Sequence, residues 1–539
     1  MKRFSLITGS LLGALSALTV VALTYLGEKF AELPFVPFDI FDWMTRTLPG
    51  GLITFSIDTM VRVITGLHLG PTSAVAKFGE MSIAVVQFIL AGAVFGLVLA
   101  LLGRRWPGRL VSLGILGGLL LFIAVALVEI WLGFPAAGVV ATLVWLGVVF
   151  AGWGAVLGRL IRDTSLSQPA AAPESGVSRR QFLYLVGAGS FTVLVTALGV
   201  SIASSEENAL PSTGQGLDVD KMVGAKDTSG PAASPPEEEL AARFDPVPGT
   251  RPELTANRDF YRIDINTRPP EIDGETWRLE LGGLVLSPLS LSIEEIRSRP
   301  AVSQVITLSC ISNEVGGDLI STAMVTGTRL KDLLAEAGLK RGAQEVSIES
   351  VDGFYESVPL AEAMDERTLL VYAMNGEPLP VSHGFPLRIY ISNHYGMKQP
   401  KWITRMEVID HQGEGYWVDR GWSKEAIVKT TSVVDSVATG DSDPQSNLVP
   451  VGGIAYAGAR GISKVEVQVD NNPWVEAELR TPALSPLTWV QWRYAWPAEN
   501  GRHTFHVRAY DGTGALQETV PHAPHPNGAT GIHSRTVEI

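Results

Sequence analysis

Cysteine is almost missing from this 539-residue sequence, which has one, Cys310. That excludes an intrachain disulfide framework, a zinc site built from cysteines and an all-cysteine iron–sulfur cluster. Charge is scarce as well. Asp, Glu, Lys and Arg make up 18% of the chain and hydrophobic residues 46%, where a soluble chain carries about 25% charged residues. Part of the chain therefore belongs in lipid. Positive charge does not predominate: the net charge is −13, which argues against a nucleic-acid partner. Histidine is nearly absent from residues 1–203, where His68 stands alone. A membrane-embedded bis-histidine haem needs two facing imidazoles. This part of the chain lacks them and reads as an anchor or docking surface.

Long apolar runs are present. They cover Ser5–Leu26, Met81–Leu102, Leu110–Leu132, Ala136–Gly158 and Phe182–Ile202, each long enough to cross a hydrocarbon core of ~30 Å as a helix. Leu48–Gly66 is weaker. It carries Asp58 and Arg62, four apart and placed to pair on a helix face, and reads as an interfacial or re-entrant helix. Residues 1–203 hold 13 Lys/Arg against 9 Asp/Glu. Lys2 and Arg3, then Arg104, Arg105 and Arg109, then Arg159, Arg162, Arg179 and Arg180 fall on one side if five spans cross from a cytoplasmic N-terminus. Everything beyond residue 203 then lies outside a multi-pass cell-membrane anchor. Ser178-Arg-Arg-Gln-Phe-Leu183 resembles a twin-arginine export signal; plain positive-inside anchoring is the alternative.

Residues 204–244 are rich in Ser, Pro, Gly, Ala and Glu and read as a flexible linker. Residues 245–428 mix strands and helices. Trp277–Leu281 alternates as a strand, Ser292 is an N-cap, and Val305–Ser309 is a strand running into Cys310. Thr328–Leu339 reads as a helix capped by Thr328 and closed by Gly338. Strands are also predicted at Glu345–Ser350, Leu369–Ala373 and Leu387–Ile391. This is the pattern of a mixed α+β domain. From 429 to 539 the pattern is all-β. Val465, Val467 and Val469, and then Phe505, Val507 and Ala509, alternate before turn residues, as in an immunoglobulin-like sandwich.

Two stretches carry candidate chemistry. Cys310 ends a strand and enters the polar, Gly-containing loop Ile-Ser-Asn-Glu-Val-Gly-Gly, where a thiolate is a soft metal ligand or a nucleophile; a small buried hydrophobe is the plainer reading. Ser382-His-Gly-Phe-Pro-Leu-Arg388 and Tyr395-Gly-Met-Lys-Gln-Pro-Lys-Trp402 gather His383, Arg388, Lys398 and Lys401 around strand ends. These are donors suited to phosphate and a polar heterocycle. The alternatives from other classes are a non-catalytic binding module on a membrane stem and a cysteine hydrolase with His383 as base.

Residues 245–539 resemble the sulfite oxidase family of molybdopterin enzymes. The resemblance is carried by Phe260-Tyr-Arg262 with Trp277 and Gly282-Gly283, Leu308-Ser-Cys-Ile-Ser-Asn313 with Gly316-Gly317, the two donor-rich motifs above, and His503-Thr-Phe-His-Val-Arg-Ala509. It implies a cofactor of one molybdenum and one molybdopterin, with Cys310 as metal ligand. It implies Asn257, Tyr261, Arg262, Ser350, His383, Arg388, Gln399, Pro400 and Lys401 as cofactor contacts, and Cys310 and Arg262 as the catalytic pair. Ser350 stands where the methionine sulfoxide reductase branch has a cofactor-contacting Thr. The implied chemistry is two-electron oxygen-atom transfer on a small S- or N-oxo substrate. The implied partners are a separate electron carrier (a cytochrome or a quinone-linked membrane protein), membrane lipid and, through a dimerisation-type sandwich, a second copy. Two departures stand out. Asn313 is followed by Glu314 where sulfite oxidases carry a basic residue, and Arg262-Ile-Asp264 replaces an Arg-Asn-His run. Both weaken the expectation for sulfite or nitrate.

Overall fold

A computed structural model describes residues 5–67, 69–133, 137–166, 234–439 and 448–539. Lys2, Arg3, His68, Arg179, Arg180 and the apolar run 182–202 lie outside the described residues. The chain divides into two compact units; one holds residues 1–48 and 77–214, the other residues 49–76 and 215–539.

In the first unit the apolar runs are helices: α1 (Leu6–Ala31), α2 (Val36–Thr47), α4 (Thr72–Arg105, from residue 77 onward), α5 (Leu110–Leu132) and α6 (Val139–Leu166), with α3 (Gly50–Gly66) belonging to the second unit. Four helices, α1, α4, α5 and α6, are long and apolar enough to cross a membrane. Small residues let their backbones meet. A Cβ on Gly13 would lie 2.1 Å from the Gly92 carbonyl oxygen, and one on Gly114 2.1 Å from that of Gly154. Trp153 Nε1 donates to Ser16 Oγ at 2.8 Å across the bundle.

The segment 49–76 packs on the soluble part of the second unit. The Thr72 amide, at the start of α4, donates to Asp318 Oδ2 at 2.7 Å. Gly50 abuts Arg420, whose Cα a Cβ there would approach to 2.8 Å. The expected Asp58–Arg62 ion pair does not form: Arg62 Nε donates instead to the Asp58 carbonyl at 3.1 Å, because the guanidinium folds back onto its own helix.

The cofactor-type domain has ten strands: β1 (Leu279–Gly283), β2 (Leu289–Leu291), β3 (Val302–Ser309), β4 (Ile320–Arg329), β5 (Glu345–Ser350), β6 (Tyr355–Pro359), β7 (Leu369–Met374), β8 (Glu377–Pro378), β9 (Arg388–Tyr390) and β10 (Ile403–Ile409). They form a mixed sheet, ordered β2-β1-β10-β5-β6, and an antiparallel one, ordered β3-β4-β7-β8 with β9 pairing β7. Only β1 and β10 run parallel, and they lie 120 residues apart in sequence. The first sheet buries Leu279, Leu281, Ile348 and Met406 against Leu330, Leu333, Leu334 and Ala337 of the helix Leu330–Ala337. Those four residues recur at helical spacing, and Gly338 closes the helix at φ 70°.

Three local expectations need correction. Thr328 does not cap that helix. It is the penultimate residue of β4, paired with Leu370, and its hydroxyl donates to the Pro300 carbonyl at 3.1 Å; strand pairing outcompetes capping. The first strand starts at Leu279, since Trp277 turns inward and donates from Nε1 to the Ile403 carbonyl at 3.1 Å. The strand expected at Leu387–Ile391 is only three residues long, Arg388–Tyr390. Ser292 does cap its helix, in a full capping box with Glu295.

The C-terminal region has two four-stranded antiparallel sheets, β11 (Thr431–Val437)-β12 (Leu448–Tyr456)-β16 (Val490–Pro497)-β15 (Glu478–Leu479) and β14 (Val475–Glu476)-β13 (Ile462–Val469)-β17 (Arg502–Asp511)-β18 (His533–Glu538). They share one core, in which Val451, Trp492, Val465, Val467 and Phe505 are buried. Phe505→Ala in the full chain is expected to cost about 3–5 kcal/mol and to lower the midpoint of denaturant unfolding; an unchanged midpoint would place Phe505 outside the core.

Candidate active site

The site assembles where strands end. β3 stops at Ser309 because the Cys310 amide donates to the Leu319 carbonyl at 2.9 Å, which folds residues 310–319 into a closed loop. Asn313 holds the loop from inside: its Oδ1 accepts from the Leu319 amide at 2.9 Å. Cys310 is buried, 8% exposed, with Sγ 3.0 Å from Ser312 Oγ. Burial pushes its thiol up, and hydrogen bonds from Ser312 and the loop backbone oppose the shift. Among the described residues no three His, Cys, Asp or Glu side chains converge on a space for a metal. A metal at Cys310 would need its other ligands from outside the protein.

Arg388 opens β9 and is buried. Nη1 donates to the His383 carbonyl at 3.2 Å. Burial lowers its basicity to about 10, and the one group that favours its charge is Tyr261, a phenol. Among the described residues no carboxylate faces it. Buried charges are ordinarily paired, so this one is built to meet an anion.

Tyr261 faces both Arg388 and Cys310 and links the two motifs; burial pushes its hydroxyl well above the usual range. A Cβ at Gly396 would lie 2.7 Å from that hydroxyl, so glycine is what lets the 395–402 loop close on it. Phe260 stacks on Tyr261, with ring centroids 5.7 Å apart, and meets His383 edge-on at 5.4 Å. His383 lies at the end of a short turn, followed by Gly384 at φ +114°. Its Nε2 is 3.0 Å from the Asn257 carbonyl. A carbonyl only accepts, so Nε2 carries the proton and Nδ1 keeps a lone pair. Burial, with Arg388 adding to it, pushes the ring down to about 4 and keeps it neutral.

Arg262 and Lys401 meet through Asp264, whose fully buried carboxylate bonds both. Lys401 Nζ also donates to the Ile263 and Ser382 carbonyls. Asn257 sits at the edge, its amide donating to Glu377 at 3.1 Å. Ser350 ends β5 with a buried hydroxyl that has no partner among the described residues. Gln399 is buried, with Oε1 lacking a partner among the described residues. Its amide donates to the Ile391 and His394 carbonyls at 3.1 and 3.0 Å and braces the turn, while the Pro400 carbonyl accepts from Ile389.

Several contributors carried no sequence signal, because their partners are distant in the sequence. Arg251 Nη2 donates to the Gly316 carbonyl at 3.1 Å, and the His533 ring packs on Gly316 from the C-terminal sheets. His525 meets Trp422 edge-on at 5.0 Å. Asp264 was legible only as a carboxylate that weakens anion binding; its position shows it compensating two cations. Tyr395 lay within a quoted motif, but its contact with Gly528 did not.

The residues present fit a molybdopterin. An isolated thiol offers one soft ligand, a buried guanidinium donates without carboxylate competition, a neutral imidazole keeps Nδ1 as an acceptor, and the Ser350 hydroxyl is left over. Comparison with known proteins agrees. The family described as oxidoreductase molybdopterin binding domain matches residues 266–417. Rat mitochondrial sulfite oxidase is 31% identical over 304 residues, covering 48% of this chain and 54% of that protein. Human mitochondrial sulfite oxidase is 29% identical over 344 residues, covering 53% and 63%. The chain thus spans about half the length of these curated relatives. The sulfane dehydrogenase SoxCD structure from Paracoccus pantotrophus superposes with a TM-score of 0.47 at 20% identity, over 62% of this chain and 95% of that one. The uncharacterized oxidoreductase YuiH of Bacillus subtilis (strain 168) is 31% identical over 171 residues, 32% of this chain and 84% of that protein. Matched along most of that relative and bearing the cysteine loop and the buried arginine, the chain belongs to the sulfite oxidase family of molybdopterin-dependent oxidoreductases.

Proposed function

We propose that the chain is a membrane-anchored, extracytoplasmic molybdenum oxidoreductase that transfers an oxygen atom to or from a small S- or N-oxo substrate in a two-electron reaction. The observation that carries this is the buried, uncompensated Arg388 next to Tyr261 and Cys310. One molybdenum with one molybdopterin, when bound, supplies the two-electron oxygen-transfer chemistry. Cys310 would hold the metal. Arg388, His383, Lys401, Ser350, Asn257 and Tyr261 would hold the pterin and its phosphate, with Gln399 and Pro400 bracing the loop that carries Lys401. His383 stays neutral and keeps its proton on Nε2, so it orients the cofactor by hydrogen bonding rather than by charge. Tyr261 keeps its phenolic proton and closes the space between the cysteine loop and Arg388.

Arg262 is the chain's own candidate for contact with substrate oxygen. Asp264 offsets its charge and that of Lys401, which favours a neutral S-oxide or N-oxide over sulfite or nitrate. Electrons would come from or go to a separate carrier. Five spans are supported by parity. Residues 49–76, between the first two apolar helices, pack on Asp318 and Arg420, so the soluble part shares their side. Four crossings return the chain to its starting side, so this placement calls for a fifth, for which the apolar run 182–202, outside the described residues, has the composition. The two-sheet region has the size and shared core of an immunoglobulin-like sandwich, the form that dimerises in such enzymes.

Three outcomes test this. Metal and pterin analysis of the detergent-purified chain should find about one of each per chain; neither, from cells competent in molybdopterin synthesis, overturns the proposal. Cys310→Ser should cut turnover by at least about two orders of magnitude with an unchanged circular dichroism spectrum, and near-normal turnover would remove Cys310 from the metal. Arg388→Met should act in opposite directions on the two forms. The cofactor-free protein gains about 1–4 kcal/mol by losing a buried unpaired charge, while pterin retention collapses. If the variant keeps its pterin, or if the cofactor-free form is destabilised, Arg388 is not an anion site.

A further inference from the structure

Polar side-chain atoms inside an apolar helical bundle normally bond to each other or to their own helix, because hydrocarbon offers no substitute. Most in the first unit do so. Thr24, Thr45, Thr47 and Thr164 hydroxyls donate to carbonyls three or four residues earlier at 2.9–3.1 Å. Some atoms of α5 and α6 break the rule. Thr142 Oγ1, Glu129 Oε1 and Trp145 Nε1 are buried without a partner among the described residues. Thr142 is 0% exposed and Glu129 3%.

These atoms share one end of the bundle. Gly114 meets Gly154, and Gly118 meets Phe150, across the antiparallel α5–α6 pair. The same register sets the last turn of α5, with Glu129, beside the first turns of α6, with Thr142 and Trp145. α1 closes the third side: a Cβ on Gly27 would lie 3.2 Å from Trp145 Nε1. α2 closes the fourth, where the Asp39 carboxyl hydrogen-bonds that of Glu129. Phe35 and Phe38, 4.6 Å apart in an edge-to-face pair, join Trp145 in the surrounding core. The two adjoining carboxyls disfavour an anionic lipid phosphate. The indole N–H needs an acceptor, and the hydroxyl takes either role. A flat apolar ring carrying two oxygens that accept or donate meets all three. The flanks of this end are apolar and exposed, with Leu127 at 61% and Val140 at 76%, so such a molecule enters from lipid.

We propose that Glu129, Thr142 and Trp145 form a binding site for the headgroup of a lipophilic quinone or quinol. The inference rests on the reading of the first unit as membrane-embedded. The test uses the full chain in detergent with a photoreactive azido-ubiquinone, adducts being mapped by peptide mass spectrometry. Adducts should fall in α2, the end of α5 and the start of α6, disappear with excess ubiquinone-1, and drop about ten-fold in Thr142→Val and in Glu129→Gln, the worth of one hydrogen bond to a buried polar group. Thr142→Val keeps the shape of the side chain, and an unchanged or raised melting midpoint certifies its fold. Labelling spread over all lipid-facing residues, or labelling undiminished in a folded Thr142→Val, overturns the site. So does a phospholipid seen by native mass spectrometry that ubiquinone-1 does not displace. Extraction of the chain from native membranes by carbonate would defeat the membrane reading by itself, whatever the adducts show.

Discussion

A guanidinium held in the protein interior without a carboxylate is the constraint on which the soluble part depends. Removing a cation from water costs several kcal/mol after relaxation, and Arg388 is given only a carbonyl and a phenol in return. Its neighbours follow from that. His383 must be neutral beside it, and burial ensures this. Tyr261 must remain a phenol wedged between Arg388 and Cys310. Gly396 must lack a side chain so that the next loop can close on Tyr261. A site tolerating that cost in the protein alone is organised for a ligand that brings negative charge.

The second sheet and the C-terminal sandwich then act as one frame. The cysteine loop is held at its base by the Cys310–Leu319 and Asn313–Leu319 hydrogen bonds and from outside by Arg251 and His533 on Gly316. Tyr456 of the sandwich donates to the Thr307 carbonyl at 2.7 Å, inside the strand that ends at Cys310. Deep hydrogen bonds of this kind fix a strand's register. The sandwich therefore does more than extend the chain: it sets where the thiol points.

Local patterns were readable in the sequence because local physics decides them. The alternation Val465, Val467, Val469 gave one face of β13, and Ser292 with Glu295 gave a capping box. The cysteine loop and the His383–Arg388 and Tyr395–Trp402 motifs were placed by residue type and turn glycines. Long-range competition was not readable. Thr328 carries a capping hydroxyl, but pairing with Leu370 claims its backbone for β4. Arg62 lies four residues from Asp58, yet bonds its carbonyl instead of its carboxylate. Gln399 gives its amide N–H groups to two carbonyls of its own turn, and its Oε1 is left buried without a partner among the described residues. For Thr328 a pairing set by tertiary position displaced one suggested by spacing; for Arg62 the competing acceptor lay on its own helix.

Charge is apportioned unevenly across the site, and this bears on what it can discriminate. Arg262 and Lys401 share the buried Asp264, so a ligand near them meets two cations already offset by one anion. Arg388 is offset by nothing of its kind. An incoming group with full negative charge thus gains most at Arg388, deep among Tyr261, His383 and Phe260, and much less at Arg262. A cofactor that leaves a phosphate at Arg388 removes that attraction, and the remaining space near Cys310 and Arg262 is then close to neutral. Arg262 keeps its geometry as a donor while losing most of its long-range pull. On the proposed function, such a group would distinguish substrates by whether they present an oxygen to accept a hydrogen bond, not by net charge. Neutral S-oxides and N-oxides meet that condition without the desolvation cost that sulfite or nitrate would pay to enter.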